Sequence, residues 1–268
     1  MRPPWWLVRL LAGLLVVLGR GVAPQLLINV KNQGGDVLQE TIAANMSEEW
    51  VSLEFQRSDG TLVTQMLDFK NEVEILKALI LGEEERGQSQ YQVMCFVSHF
   101  DKSEGFIAPD AMAKLRQKNP STVRTPEEDR GRQNTTMDGL LDLFAGAKSV
   151  SALLPTVCAE AKDATYAPLA DLKIWSEHAG KDLTQLLKVV PKKGAEVTPR
   201  CAHVSDTWRH CMCHLELCIG WYPCGLKFCK SKDNSGKLVS YRCGIKTCRK
   251  CRLFEYPVRQ KQLCLWDE

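Results

Sequence analysis

From residue 26 to residue 69 apolar and polar positions follow the period of β-strands. Residues 26–30 and 37–42 are short apolar runs, and residues 50–55 place Val51, Leu53 and Phe55 on one face with Ser52 and Glu54 on the other. The Asp59-Gly60 pair that follows favours the positive φ angles of a hairpin turn. Residues 61–69 are the return strand, with Val63, Leu67 and Phe69 on one face. Asp68 falls on the other face beside Leu62 and Met66, where a carboxylate is costly unless paired. The pattern alone therefore reads Asp68 as an edge position in water.

Beyond that the periodicity changes. Residues 71–81 predict a helix, with Asn71 as cap, Val73, Leu76 and Ile80 as a stripe, and Gly82 as the stop. Residues 91–100 return to strand alternation and carry Cys95 on the face of Tyr91, Val93 and Val97. A second helix is expected over 109–117, entered through Pro109. Residues 118–134, rich in Pro, Thr, Arg and acidic residues, are expected as a loop. Helical spacing resumes over 140–161, which carries Cys158; over 169–187 the pattern is less regular, with Ile174 and Trp175 as expected core residues.

The two ends of the chain set the compartment. Residues 1–21 read as a secretory signal peptide: Arg2 and Arg9 are followed by the apolar run LLAGLLVVL, and Gly19 and Gly21 suit a peptidase. As a helix that run reaches only about 14 Å, against a hydrocarbon core of about 30 Å. No membrane span is expected, and the product is expected to be secreted and extracellular. Ten of the twelve cysteines lie after Arg200. In an oxidising compartment they are expected to be disulfides rather than zinc ligands, and their spacings do not repeat as a finger does.

Charge divides the chain at the same place. Residues 200–268 hold 13 Lys/Arg against 6 Asp/Glu, while the rest holds 22 against 26. Residues 22–190 are thus expected to form an acidic domain, 191–199 a linker with an accessible Lys192-Lys193 pair, and 200–268 a basic cysteine-rich domain. Its cysteines are Cys201, Cys211, Cys213, Cys218, Cys224, Cys229, Cys243, Cys248, Cys251 and Cys264. Cys95 and Cys158 stand apart and are expected to bridge each other, closing a long loop for about 4 kcal/mol.

Candidate chemistry is sparse. Gly-x-Ser-x-Gly, HExxH and a phosphate-cradling glycine loop are all missing from the sequence, so neither an enzyme nor a cofactor is expected. Lys246, Arg249, Lys250 and Arg252 make a basic patch that reads first as a solvated face of the cysteine-rich module and otherwise suits sulfated glycosaminoglycans or an anionic membrane surface; the compartment disfavours nucleic acid. Asn45-Met46-Ser47 and Asn134-Thr135-Thr136 are sequons, expected to be glycosylated at Asn45 and Asn134.

The stretches AMAKLRQKNP (111–120), ALILGE (78–83), RCGI (242–245) and the ending QLCLWDE resemble the out at first protein family. That resemblance covers essentially the whole chain beyond residue 21 and implies a secreted protein without an assigned enzymatic activity. Cys218 and Cys251 stand outside the family pattern, and a bridge between them is one reading. The order Asp68, Cys95, Cys158 further resembles a BRICHOS domain, a β-sheet with two helices marked by one aspartate and two cysteines. This implies an α+β fold, a buried Asp68 carboxylate, and a chaperone-like affinity for extended peptides. Two functions follow as expectations: a binder of protein or peptide partners through the first domain, or an extracellular ligand or matrix component engaging a receptor or glycosaminoglycan through the basic module.

Overall fold

The computed structural model describes residues 25–265 except 32–34, 103–104, 118, 145, 190–197 and 233. The expected signal peptide and most of the expected linker lie outside the described residues.

Six strands form an antiparallel meander: β1 (Gln25–Lys31), β2 (Val37–Asn45), β3 (Trp50–Gln56), β4 (Leu62–Asp68), β5 (Val73–Leu81) and β6 (Tyr91–His99). Gly60 turns β3 into β4 at φ 87°, with its N–H on the Arg57 carbonyl; of the Asp-Gly pair only the glycine takes a positive φ. After the short helix α1 (Pro109–Ala113) come β7 (Val123–Arg124) and β8 (Glu128–Thr136). Next are β9 (Gly139–Leu141), the one-turn helices α2 (Ala147–Val150) and α3 (Leu154–Val157), β10 (Thr165–Ala167), α4 (Leu169–Ala179) and β11 (Leu187–Val189). β7 extends one edge of the meander beside β1, and β10, β9 and β11 extend the other beyond β6, giving a ten-stranded sheet. The cysteine-rich region is a long two-stranded ribbon, β12 (Cys211–Lys232) against β13 (Leu238–Val258). β8 joins it as a third, parallel strand beside β13.

The large sheet is covered on both faces, and alternation decides which residue serves which. Leu53, Phe55, Val63, Leu67, Leu76, Ala78, Met94 and Phe96 pack against the ribbon's Leu215, Leu217, Ile219, Trp221, Phe254 and Tyr256. Val73, Ile75, Val93, Cys95 and Val97 point the other way, onto Leu154, Cys158, Leu172, Trp175 and Leu186 of the helical side. Phe96 stacks on Phe254 with ring centroids 4.5 Å apart, and Tyr166 and Tyr256 close round it. The ribbon thus forms its core against the sheet, and β8, from the first part of the chain, is hydrogen-bonded to the second.

This arrangement overturns the expected α+β, BRICHOS-like sheet with flanking helices. The chain is mostly β, organised by the ten-stranded sheet. The largest difference is at 71–81, where the expected helix is the central strand β5. Both its faces are buried, so Val73 and Ile75 serve one core while Leu76, Ala78 and Ile80 serve the other. An apolar run buried on both sides has no clean period of two and imitates a helical stripe. The expected loop at 118–134 contains β7 and most of β8, a polar edge strand, and the helical pattern over 140–161 resolves into the end of β9 and two single turns. The helix expected over 109–117 stops at Ala113.

Glu40 ties sheet to ribbon. It lies on the ribbon-facing side of β2, 2% exposed, and its Oε1 accepts a hydrogen bond of 2.9 Å from the Gly220 N–H. A register shift in the ribbon between Ile219 and Tyr222 frees that backbone for it. Gly220 has to be glycine: a Cβ there would lie 2.7 Å from Val30 Cγ1. Burial pushes the Glu40 carboxyl up to about 8 against the pull of the Gly220 and Trp221 N–H groups. Between its ordinary value of 4.5 and about 8 the folded chain holds a proton that the unfolded chain has released, so stability falls as pH rises through that window. Relative to Glu40→Gln, the wild type is expected to lose up to about 1.4 kcal/mol per pH unit between about pH 5 and 8 and to run parallel above it. Urea unfolding across pH checks this; parallel curves throughout would remove Glu40 as the cause.

Candidate functional site

All twelve cysteines are bridged. Cys95–Cys158 joins β6 to the end of α3, across 63 residues. Cys201–Cys211 and Cys213–Cys264 fasten the base of the ribbon, while Cys218–Cys251, Cys224–Cys248 and Cys229–Cys243 link its two strands along their length. The sulfurs of Cys201, Cys213 and Cys264 converge, as do Glu216, Cys218 and Cys251, and every one of those sulfurs is spent in a disulfide.

Asp68 ends β4 and is 2% exposed, so the edge position read from its pattern is corrected. It faces the helical layer. Its carboxylate accepts hydrogen bonds from the Lys70 and Asn71 N–H groups at 3.1 and 3.0 Å, from Asn71 Nδ2 at 2.7 Å and from Ser151 Oγ at 2.5 Å. These close the β4–β5 turn, where Glu72 sits at φ 56°, and tie that turn to the segment joining α2 to α3. The role is architectural.

The four cations of the expected patch do not form an open surface. Lys246 pairs with Glu128, and Arg249 with Asp129 at 2.6 Å, both carboxylates belonging to β8. Lys250 and Arg252 face inward on β13 and share the Glu74 carboxylate of β5, at 3.5 and 2.5 Å. Arg252 also donates to Ser98 Oγ at 3.0 Å, and Gln65 donates to Glu74. Burial would raise the Glu74 carboxyl, but Arg252 and Lys250 outweigh it and hold it below the usual carboxylate range. Burial pulls the Lys250 ammonium down, with Glu74 opposing. Sequence reading missed Glu74 because it was placed on a helix; as a strand residue, its parity with Leu76 and Ala78 puts it on the ribbon side.

A cleft of about 720 Å³ opens over this ion cluster, between the ends of β5 and β6, the ribbon and β8. Arg130, Gln133 and Tyr222 complete its wall. Burial pushes the Tyr222 hydroxyl up to about 12 against the neighbouring Arg130.

The exposed basic surface lies further along the ribbon. From Lys227 to Tyr241 its strands run out with their residues largely in solvent, apart from half-buried Cys229. Pairing of Phe228 with Arg242, Lys230 with Ser240 and Lys232 with Leu238 sets Phe228, Leu238 and three cations on one face. Tyr241 and Val239 lie on the other, and Cys229–Cys243 fixes the two strands. Phe228 is 64% and Leu238 66% exposed. Of the sequons, Asn134 is exposed on the edge strand β8. Asn45 is half-buried at the end of β2, its Oδ1 accepting from the Ser47 backbone and hydroxyl.

Residues 24–175 match the family model described as "Out at first", and residues 200–268 the model described as "Out at first, C-terminal". The Out at first protein of Drosophila virilis is 57% identical over 253 residues, covering 91% of this chain and 82% of that relative. The Out at first protein of Drosophila melanogaster is 56% identical over 254 residues, covering 91% of this chain and 52% of the relative; the chain spans about half of that protein. No solved structure matches. The chain belongs to the out at first family.

Because Asp68 holds four donors together, Asp68→Ala is expected to destabilise the protein by about 2–4 kcal/mol, with Asp68→Asn between it and the wild type. Equilibrium denaturation measures this; a cost for the alanine variant below about 0.5 kcal/mol would remove the architectural role.

Proposed function

We propose that this member of the out at first family is a secreted, non-catalytic binding protein that docks onto a partner through the distal finger of its disulfide-laddered ribbon. The observation that carries this reading is the finger's exposed face, where Phe228 and Leu238 stand among Lys230, Lys232 and Arg242. Exposed large apolar side chains ringed by cations are costly to keep in water and are characteristic of contact surfaces. The disulfide Cys229–Cys243 supports it, since it holds the strands in register where no core does. Six disulfides suit an extracellular life.

The partner that fits is a protein receptor with an apolar pocket and an acidic rim. Apolar insertion supplies affinity, and the lysines steer encounter. The second reading is a sulfated glycosaminoglycan, favoured by the cations alone; it makes no use of Phe228 or Leu238.

The test is binding of the purified protein to cultured cells. Phe228→Ser with Leu238→Ser is expected to weaken it at least tenfold, with heparin-lyase treatment of the cells having little effect. Loss of binding after the lyase, with the double variant unchanged, would replace the receptor reading by the glycosaminoglycan one. Binding insensitive to both would remove the finger from the account.

A further inference from the structure

We infer that the cleft over Glu74, Lys250 and Arg252 is a binding site for an oxyanion, the carboxylate or sulfate group of a small extracellular ligand. It lies away from the finger and does not depend on the function proposed for it. Its volume of about 720 Å³ falls within the range of small-molecule sites, about 300–1,000 Å³.

The chemistry of its lining gives the sign of the ligand. At the floor, buried Arg252 and half-buried Lys250 share a single carboxylate, so the inner cluster carries one positive charge more than it balances. The other carboxylates are engaged: Glu128 pairs with Lys246 and, at 3.7 Å, with Arg130, and Asp101 has an interaction of its own. Among the buried atoms of the cluster one donor and one acceptor, Gln65 Oε1, have no hydrogen-bond partner among the described residues. Arg252 is 7% exposed, and its Nε is buried without a hydrogen-bond partner among the described residues. That atom can only donate. An oxygen acceptor is its complement, and a metal cation is not.

Lys250 supplies the accessible charge. Its side chain keeps 20% of its surface, while that of Arg252 keeps 8%. The Lys250 Nζ also lies 5.5 Å from the Tyr222 ring centroid and 5.9 Å from that of Phe106, which limits its freedom to leave the site. Burial lowers its proton affinity, and an incoming negative charge restores it. Arg130, on the outer wall and paired through its Nε with Glu128, adds a guanidinium beside the cleft, and Tyr222 and Phe100 offer apolar surface to the body of the ligand.

The experiment is a thermal-shift and calorimetric titration of the full chain with inorganic sulfate, a sulfated disaccharide and a short peptide with a free C-terminal carboxylate, each against chloride at equal ionic strength. Saturable binding of at least one probe is expected, weakened tenfold or more in Arg130→Ala and in Lys250→Met and unchanged in Phe228→Ser. Which organic probe binds more tightly than sulfate separates a saccharide from a peptide source. Arg130 lies on the wall rather than at the floor, so its variant decides the matter even where Lys250→Met does not fold. Absence of saturation with all three probes, or equal affinity in Arg130→Ala, would overturn the site.

Discussion

The fold turns on one buried carboxylate. Glu74, on the central strand β5 of the large sheet, receives Arg252 and Lys250 from the ribbon. Burying three charges costs several kcal/mol in desolvation, recovered only while the geometry holds. The cluster therefore acts less as glue than as a register pin. Lys250 and Arg252 share a face because strand side chains alternate, so a slip of one residue would carry both away from Glu74 and present Arg249 and Cys251 instead. Phe254 and Tyr256 continue the same face onto Phe96, so the pin and the aromatic core select the same register.

A two-stranded ribbon is marginal alone in water. Here its proximal half gains a core from the sheet and a third strand from β8, while its distal half has neither and relies on the Cys229–Cys243 cross-link. That division separates the packed scaffold from the exposed finger. Lys246, Arg249, Lys250 and Arg252 look equivalent to Lys230 and Lys232 in a charge count, yet they are bound to carboxylates of β5 and β8. What distinguishes them is burial and partner, which a linear run of basic residues does not carry.

Much of the meander was legible because β1 to β4 alternate and the Asp59-Gly60 turn is explicit. β5 was not, because burial on both faces erases the period on which the reading depends. β8 escaped because a polar, exposed edge strand has the composition of a loop and is ordered by the ribbon's backbone rather than by its own side chains. The strand pattern alone reads Asp68 as exposed, and only the resemblance implies burial, because its partners are two backbone amides of the next turn, the Asn71 side chain and a serine more than eighty residues away. The cysteine division of the chain was plain; the sharing of one core across that division was not, since it rests on Glu74, Phe96 and β8 meeting residues far off in sequence.

Native-state hydrogen exchange on the full chain tests that sharing most directly. Amides of β5 and β6 and those of β13 over 250–256 are expected to open with the same free energy, and to lose protection together in Glu74→Gln, while amides of 228–241 exchange far faster. Separate opening free energies for sheet and ribbon, or loss of ribbon protection alone in that variant, would contradict the account: the ribbon would then be an independent module resting on the sheet.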